Sequence, residues 1–380
     1  MTATVPARPK LSPLGEEAAA AALHPGAALL DEVAAFIARF VALPSDAALT
    51  AATSWVAHAH AIDAFESTPR IAYLSPEPAS GKTRALEVSE LLVPHPMHAV
   101  NCTPAALFRA VKDLAYRPTI LFDEIDTVFG PKAKDNEEIR GLLNAGHRRG
   151  AVAYRCVGEG TRQKVEPFPA YAAVALAGLG DLPDTILTRS VVIRMRRRAP
   201  GEHVEPFRHR VHAAEGHQLR EALAEWTTTV IDQLEHAWPV MPLGICDRPA
   251  DVWEPLLAIA DAAGGDWPKR ARQACVELVA AAQTTDSGSL GPRLLADLRV
   301  VFGPTDRMGT ETVLQRLAEL DESPWADLKG KPLDSRGLAY RLRPYGVTST
   351  KVKISDASVR GYRREDLHDA WQRYLPPTRR

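Results

Sequence analysis

The chain has 380 residues, and its 46 lysines and arginines nearly balance its 47 aspartates and glutamates. This balance excludes a uniformly basic polyelectrolyte, and the length leaves room for about two or three domains. The four cysteines are far apart and no stretch approaches about 18 consecutive apolar residues, so we expect a cytoplasmic protein without zinc, disulfides or membrane spans.

The composition of the first part of the chain changes near residue 27. Residues 1–26 contain several prolines and an alanine run, and we expect a flexible tail there. Apolar residues then recur at helical spacing through residues 27–69, in one stripe that starts at Leu30 and a second that starts at Trp55. The spacing predicts an N-terminal helical segment.

An apolar run at residues 71–74 leads into Ser-Pro-Glu-Pro-Ala-Ser-Gly-Lys-Thr at residues 75–83. A strand, a tight loop and a helix that opens with Gly-Lys-Thr form the layout of a phosphate-binding P-loop. Lys82 would reach the β- and γ-phosphates, and the Thr83 hydroxyl would hold Mg²⁺. Pro76 stands where the P-loop pattern has glycine, so the loop must turn without that glycine's freedom. The predicted nucleotide contacts are Ser75, Pro76, Glu77, Pro78, Ala79, Ser80, Gly81, Lys82, Thr83 and Arg84.

A second motif follows at residues 119–126, which read Thr-Ile-Leu-Phe-Asp-Glu-Ile-Asp, an apolar strand that ends in carboxylates. In a nucleotide hydrolase the first carboxylate, Asp123, binds Mg²⁺ at the nucleotide, and the second, Glu124, polarises the attacking water. Either motif alone is common. The two in this order and spacing predict a domain that binds ATP with Mg²⁺ and hydrolyses it, with Lys82 and Glu124 as catalytic residues.

Strands and helices alternate from residue 70 to 200. This alternation predicts an α/β fold, a P-loop NTPase core with a parallel sheet, helices on both faces and ATP at the carboxyl ends of the strands. A β-hairpin at residues 151–166 is inserted into that core. Its two interpretations are a surface ribbon and a DNA-touching finger in a central channel, with Arg162 and Lys164 near the tip.

Arg189 ends a short helical segment just before the last core strand. In ring-forming ATPases an arginine there points at the neighbouring subunit's γ-phosphate and stabilises the transition state, and an ordinary surface arginine is the alternative. Arg248, in the predicted helical lid at residues 201–286, is a weaker candidate for a nucleotide-sensing contact. Residues 177–180, where ring ATPases carry a polar water-sensing side chain, read Ala-Gly-Leu-Gly.

Residues 287–380 show helices followed by a β-hairpin, the order of a winged-helix domain. Residues 329–380 carry 13 lysines and arginines against 5 aspartates and glutamates. This local surplus favours DNA binding, although winged helices also serve as protein-docking modules. The predicted DNA contacts are Arg336, Tyr340, Arg341 and Arg343 on a helix at residues 335–343, and Lys351, Lys353 and Arg360 around the hairpin.

The chain combines the motifs above with further short segments, at residues 68–70, 74–77, 80–83, 123–126, 140–150, 180–185, 189–190, 247–248, 251–253 and 360–362. Together they resemble a family of P-loop ATPases from actinobacteria, their phages and integrative elements, defined by a domain of unknown function. That family is related to AAA+ ring helicases and is often associated with primase-polymerase proteins. The resemblance covers about residues 28–375, and Pro76 is usual in the family.

The resemblance implies a replication-associated helicase or translocase. We therefore expect an ATP-driven DNA helicase or translocase for phage or mobile-element DNA that works as a homo-oligomeric ring, a hexamer in the simplest case. Single-stranded DNA would lie in the pore and duplex DNA at the winged helix, and any primase-polymerase partner would be a separate protein. An ATP-switched DNA-binding initiator or regulator is the main alternative, and a protein-remodelling ATPase is a third.

Overall fold

The computed structural model describes residues 24–99, 103–113, 116–129, 137–157, 164–180, 182–286, 290–320, 323–328, 331–354 and 357–375. The chain divides into two compact units, one that ends at Val279 and one that starts at Ala280. Within the described residues, no helix combines the length and apolarity needed to cross a bilayer.

The first unit is built on a parallel sheet. Its strands are β1 (Arg70–Ser75), β2 (Pro96–His98), β3 (Thr119–Phe122), β4 (Val152–Val157), β5 (Lys164–Pro169), β6 (Val174–Leu179) and β7 (Ser190–Arg194). Five of these described strands form the parallel sheet in the order β2-β3-β6-β1-β7, and β4 pairs with β5 as a separate antiparallel hairpin. Strand β1 is therefore central, and β6 separates it from β3.

Helices lie between and beyond these strands. They are α1 (Pro25–Phe40), α2 (Asp46–His60), α3 (Lys82–Leu92), α4 (Pro104–Lys112), α5 (Asp126–Phe129), α6 (Glu137–Ala145), α7 (Asp184–Leu187), α8 (His209–Glu235), α9 (Asp247–Ala263) and α10 (Trp267–Asp286). The α/β class expected from the alternating pattern is confirmed by this mixture of helices and parallel strands.

Strand β1 shows why the sheet is covered on both faces. All of its residues are buried, and successive side chains of a strand point to opposite faces. Ile71 and Tyr73 accordingly pack into one hydrophobic core, and Ala72 and Leu74 into another. Parallel strands buried on both faces read as continuous apolar runs, which is the pattern of residues 71–74.

The N-terminal helices belong to the same core as helices α8 to α10. The Trp55 indole N–H donates to the Pro69 carbonyl at 2.9 Å, which fixes α2 beside the start of β1. The Trp267 indole N–H donates to the Ala27 carbonyl at 3.2 Å and so joins α10 to α1. Residues near both ends of the first unit therefore cover one face of the sheet together.

The inserted hairpin is paired from Val152 with Pro169 to Val157 with Lys164. Phe168 on β5 is buried against Phe108 of α4, with ring centroids 6.2 Å apart, so the base of the hairpin packs on the core. Lys164 is exposed at the last pair. Arg162 lies outside the described residues.

The second unit combines helices with a small antiparallel sheet. Its elements are α11 (Leu290–Phe302), β8 (Arg307–Gly309), α12 (Thr310–Ala318), α13 (Ser335–Leu342), β9 (Thr350–Ile354), β10 (Ala357–Arg363) and α14 (Arg364–Tyr374). The strands of this sheet lie in the order β8-β10-β9. The hydrophobic core of the second unit includes Leu298, Phe302, Leu338 and Trp371. The element order agrees with the sequence pattern, except that β10 begins at Ala357, within residues 355–358, which the pattern predicts as a turn.

Two element boundaries of the first unit differ from the sequence pattern, which predicts a helix at residues 135–149 and a strand at residues 98–100. Helix α6 ends at Ala145, and the next residue is Gly146, where a side chain would lie 2.2 Å from the Ala170 carbonyl oxygen and 2.9 Å from the Leu142 carbonyl oxygen. Strand β2 runs from Pro96 to His98, slightly earlier than the apolar residues suggest, since Met97 pairs with Ile120 of β3.

The buried imidazole of His58 predicts an acid-sensitive fold. His58 is completely buried, neither ring nitrogen has a hydrogen-bond partner among the described residues, and burial lowers its pKa to about 3. The ring is neutral in the folded chain, whereas in the unfolded chain its pKa is about 6.5. The stability that depends on neutral His58 is therefore complete above about pH 6.5 and falls by about 1.4 kcal/mol per unit as the pH decreases toward 3.

We expect His58→Leu to be at least as stable as the parent at pH 7, because two unsatisfied nitrogens are removed, and to lose this part of the acid sensitivity. Urea unfolding between pH 7 and pH 5 measures both effects. Exposed His209, changed to Gln, is the control. An unchanged pH slope for His58→Leu would contradict the assignment.

Candidate active site

The loop between β1 and α3 is shaped to expose backbone N–H groups. Helix α3 begins at Lys82 after Gly81, whose φ of 86° is in the left-handed region, and no side chain caps the first turn. Ala79 also has a positive φ, 63°, which is unusual for a residue other than glycine. The uncapped N–H groups of this first turn are suited to an anion.

Lys82 is held inside this loop by oxygen atoms. Its side chain is 9% exposed, and Nζ donates to Ser75 Oγ at 2.6 Å, Ser80 Oγ at 3.1 Å and the Glu77 carbonyl at 3.3 Å. Ser75 Oγ in turn donates to the Glu77 carbonyl at 2.5 Å. Burial lowers the pKa of Lys82, and the carboxylates of Asp123 and Asp126 oppose that shift. The ammonium group is thus fixed beside the position that an anion bound by the loop would occupy.

The carboxylates lie across a gap from this lysine. Asp123 and Glu124 follow β3, which is two strand spacings, about 9–10 Å, from β1. Asp123 Oδ1 accepts the Glu124 N–H at 2.9 Å, and Glu124 is exposed with a positive φ of 54°. Backbone strain of this kind persists where the surroundings impose it, often at functional sites. The loop and the carboxylates thus follow two strands that are next-but-one neighbours in the sheet.

Asp126 fixes the position of this acidic turn. Its Oδ1 accepts the Leu179 N–H at 2.9 Å at the end of β6. A side chain at Gly178 would come within 2.7 Å of Ile125 and 3.0 Å of Asp126 Oδ1, so only glycine permits this approach. Residues 177–180 lack a polar side chain of their own, and the carboxylate of Asp126 reaches that position instead. Sequence reasoning missed this role, although Asp126 was visible in the motif.

Two arginines near the loop differ in what they contact. Arg84, predicted as a nucleotide contact, pairs with Glu87 at 2.8 Å and lies over the Phe207 ring at 4.8 Å. Arg197, which sequence reasoning missed, donates to the Pro78 carbonyl at 3.2 Å and pairs with Glu77 at 3.3 Å. The basic run at residues 194–198 was the available signal. Arg197 is therefore the arginine that contacts the loop itself.

The opposite edge of the sheet carries Arg189 and Arg248. Arg189 follows α7, where its Nε donates to His147 Nε2 at 3.2 Å and Nη1 donates to the Thr185 carbonyl at 2.5 Å. Arg248 Nη1 donates to Thr188 Oγ1 at 3.1 Å. Since β1 and β7 pair in parallel from their first residues, this edge lies about 16 Å of strand length from the loop. Arg248, the weaker candidate for a nucleotide-sensing contact, thus lies at the edge opposite the loop of its own chain.

In the second unit, the predicted DNA contacts lie on two exposed surfaces. Helix α13 buries Leu338 and Leu342 and exposes Arg336 and Tyr340, with Arg341 half-buried, and Arg343 is exposed directly after the helix ends. Lys351 of β9 lies directly opposite Arg360 of β10, and Lys353 is on the same face. Like charges directly opposite each other destabilise a hairpin, so this face is suited to an anionic partner.

Among the described residues, no group of three or more His, Cys, Asp or Glu side chains could hold a metal ion by itself. Mg²⁺ bound together with phosphates needs only one or two protein ligands. Asp123 and the exposed Thr83, at the first turn of α3, are oxygen donors of the type that Mg²⁺ prefers.

Comparisons with known proteins found a family model, a curated relative and a solved structure that are similar to this chain. A family model described as "Protein of unknown function (DUF3631)" matches residues 194–374. A curated relative, "Uncharacterized 28.9 kDa protein in xis 5'region" from Saccharopolyspora erythraea, is 44% identical over 183 residues, which are 48% of this chain and 69% of the relative. The solved structure titled "The A form apo structure of NrS-1 C terminal region-CTR(305-718)" covers 87% of this chain and 74% of that chain, at 10% identity and a TM-score of 0.36.

The carboxylate of Asp126 predicts a graded effect on stability. Asp126→Ala leaves the Leu179 N–H without its acceptor, and we expect a loss of about 1–2 kcal/mol in the free energy of unfolding. Asp126→Asn keeps an acceptor oxygen and should lose less. Urea unfolding of the three proteins measures the difference. If alanine and asparagine cost the same, the charge of Asp126 matters and its hydrogen bond does not.

Proposed function

The chain belongs to this family of proteins of unknown function, and we propose that it is an ATP-driven DNA helicase or translocase. The observation that carries the proposal is the pairing of two features at one edge of the sheet. A buried lysine lies in a strand–loop–helix with uncapped N–H groups, and Asp123 and Glu124 face it from the next strand but one. Lysine, helix N-terminus and carboxylates are the parts that hydrolysis of a nucleoside triphosphate requires.

In this proposal residues 75–83 form a P-loop. Phosphate oxygens replace the serine and carbonyl oxygens that now surround Lys82 Nζ, and the N–H groups of the first turn of α3 hold the phosphates from the other side. Pro76 removes one N–H but leaves those at the helix start intact. Ser75 and Ser80 therefore support the lysine when no phosphate is bound.

Asp123 and Thr83 would hold Mg²⁺ with the phosphates. Bound there, the ion neutralises charge on the phosphate oxygens. Glu124 is exposed at the same turn and its carboxylate accepts no hydrogen bond from a described residue, so the carboxylate is available to orient a water molecule for attack.

Arg189 would act on a neighbouring subunit. It lies at the sheet edge opposite the loop, which it could not reach within its own chain. A second copy arranged in a ring can bring its loop to this edge, and an arginine there stabilises charge that develops on the γ-phosphate. A homo-oligomeric ring is thus part of the proposal.

The second unit would bind DNA as a winged helix. Helix α13 presents Arg336 and Tyr340 on its exposed face, Arg343 follows at its end, and the hairpin β9–β10 adds the facing pair of Lys351 and Arg360. Basic side chains on a helix and on a wing are suited to contact phosphates on either side of a DNA groove. The inserted hairpin β4–β5 would grip a single strand through Lys164 and the predicted contact Arg162.

An ATP-switched DNA-binding protein is the second candidate. The observation in its favour is that charged side chains at the foot of the hairpin are already paired with the core: Arg155 with Glu138 at 3.7 Å and Glu166 with Lys112 at 3.1 Å. Arg155, one of the two basic side chains on the described hairpin strands, is thus neutralised, which weakens the grip of the hairpin on DNA, and a switch does not need that grip.

The ATPase proposal predicts two different losses. Lys82→Ala and Glu124→Gln should each lower Mg²⁺-dependent ATP turnover by at least about 100-fold. Glu124→Gln should still bind ATP, because the loop is intact and only the water-orienting group is lost. Phosphate release and equilibrium dialysis with labelled ATP measure the two quantities, and Glu221→Gln on α8 is the control. Parental turnover in Glu124→Gln would overturn the assignment.

The DNA proposal predicts that wing and hairpin behave differently. Lys351→Gln combined with Lys353→Gln should weaken DNA binding and flatten its salt dependence by roughly one unit per lost phosphate contact. Arg162→Gln combined with Lys164→Gln should spare most binding and abolish DNA-stimulated ATP turnover. Gel shifts at two salt concentrations and ATPase assays test both, with Lys331→Gln as the control. DNA stimulation that survives the hairpin change favours the ATP-switched protein.

A further inference from the structure

Four basic side chains meet at the edge of the sheet opposite the loop. They are Arg70 at the start of β1, His147 after α6, Arg189 before β7 and Arg248 at the start of α9. The Arg70 N–H donates to the Arg189 carbonyl at 3.1 Å, so the two arginines are held together by the sheet. Residues from four separate parts of the first unit converge here.

Arg70 is the most unusual member of this cluster. Its side chain is completely buried, and its Nη2 donates to the Leu143 carbonyl. Its Nε and Nη1 have no hydrogen-bond partner among the described residues. Burial lowers the pKa of Arg70 to about 9, and the charge of Arg189 adds to the effect. A buried cation without an anion is costly, and natural proteins normally pair it.

The other three basic side chains of the cluster, like Arg70, have only uncharged groups or one another as hydrogen-bond partners among the described residues. His147 Nδ1 donates to the Asn144 carbonyl at 2.9 Å, which leaves Nε2 to accept from Arg189. Arg189 and Arg248 otherwise bond to a carbonyl and a hydroxyl oxygen. Burial and the charges of Arg70, Arg189 and Arg248 lower the pKa of His147. Within the described residues, no carboxylate pairs with any member, and Asp247 and Asp251 on α9 form no ion pair with them.

The exposure of the cluster shows from which side an anion would enter. Arg70 is buried, Arg189 is half-buried and Arg248 is exposed. Arg189 Nη2 and Arg248 Nη2 donate to no described residue, so two guanidinium edges are available at the surface. Paired guanidinium groups bind phosphate oxygens in a fork geometry.

We infer that Arg189 and Arg248 form a second anion site for a phosphate group, with Arg70 and His147 behind them. His147 and Arg70 are positioning residues: the imidazole holds Arg189 Nε, and the buried guanidinium adds positive potential. The phosphate comes either from a nucleotide held in the loop of a second copy or from a free polyphosphate. The first source rests on the proposed ATPase function, whereas the anion site itself does not.

The direct test uses inorganic tripolyphosphate as the probe. In a Lys82→Ala background, where the loop is weakened, calorimetry should still detect binding. Adding Arg189→Gln or Arg248→Gln should lower the affinity at least about tenfold, since each removes a charge-assisted contact. Adding Arg210→Gln, an exposed arginine of α8, should change nothing. Equal affinity with and without Arg189 and Arg248 overturns the inference, as does the absence of binding to Lys82→Ala.

Arg248→Lys and Arg70→Met separate the roles within the cluster. Arg248 is exposed, so its lysine variant folds, keeps the charge and loses the fork; weaker tripolyphosphate binding is expected. Arg70→Met removes the buried charge at similar volume, and it should weaken binding although Arg70 does not touch the surface. If Arg70→Met leaves the affinity unchanged, Arg70 is not part of the site.

A mixing experiment distinguishes the two phosphate sources. Arg248→Gln alone should lower ATP turnover, and addition of Glu124→Gln subunits should partly restore it if the phosphate belongs to a neighbour's nucleotide. No restoration, combined with loss of tripolyphosphate binding, assigns the site to a free polyphosphate. A chain that binds tripolyphosphate here but never hydrolyses ATP contradicts the proposed function and leaves the anion site standing.

Discussion

The first unit depends on a parallel sheet that is buried on both faces. A buried strand cannot expose polar groups along its length, so polar chemistry is confined to the loops at the two edges. Strand β6 lies between β1 and β3, and this order sets the distance between Lys82 and the carboxylates of Asp123 and Glu124. The opposite edge collects Arg70, Arg189 and Arg248 by the same geometry.

The loop between β1 and α3 is held in place by hydrogen bonds among its own residues. Ser75, Ser80 and the Glu77 carbonyl surround the ammonium of Lys82 and accept its hydrogen bonds. The buried cation therefore has the polar partners that it needs. Arg197 adds a contact from the segment after β7, whose Met195 N–H donates to the Leu74 carbonyl at 2.7 Å. The loop is thus held from its own strand and from the neighbouring one.

Features that arise from local sequence were predictable. The apolar run before Ser75, the Gly-Lys-Thr at a helix start and the carboxylates after β3 identify the candidate site because strand, turn and helix signals lie within a few residues of each other. The helices and hairpin of the second unit follow from periodicity for the same reason. The predicted P-loop, winged helix and site roles remain predictions.

Features that depend on distant contacts were not predictable. The bond from Leu179 to Asp126 spans 53 residues, and that from Arg248 to Thr188 spans 60. No periodicity shows that Arg248 meets Arg189 at one sheet edge, or that Arg197 returns to the loop. Such positions are decided by strand order, and a single sequence does not show the order in which parallel strands pair.

The bond between Trp267 and Ala27 joins residues 240 positions apart. A ribosome therefore releases the sheet, its loop and both N-terminal helices well before α10 is available to complete their core. During that interval the face of the sheet that contains Ile71 and Tyr73 lacks part of its cover, and exposed apolar surface of this kind favours aggregation and chaperone binding. Synthesis of this chain is consequently a period of vulnerability that ends only when the last helix of the first unit has emerged.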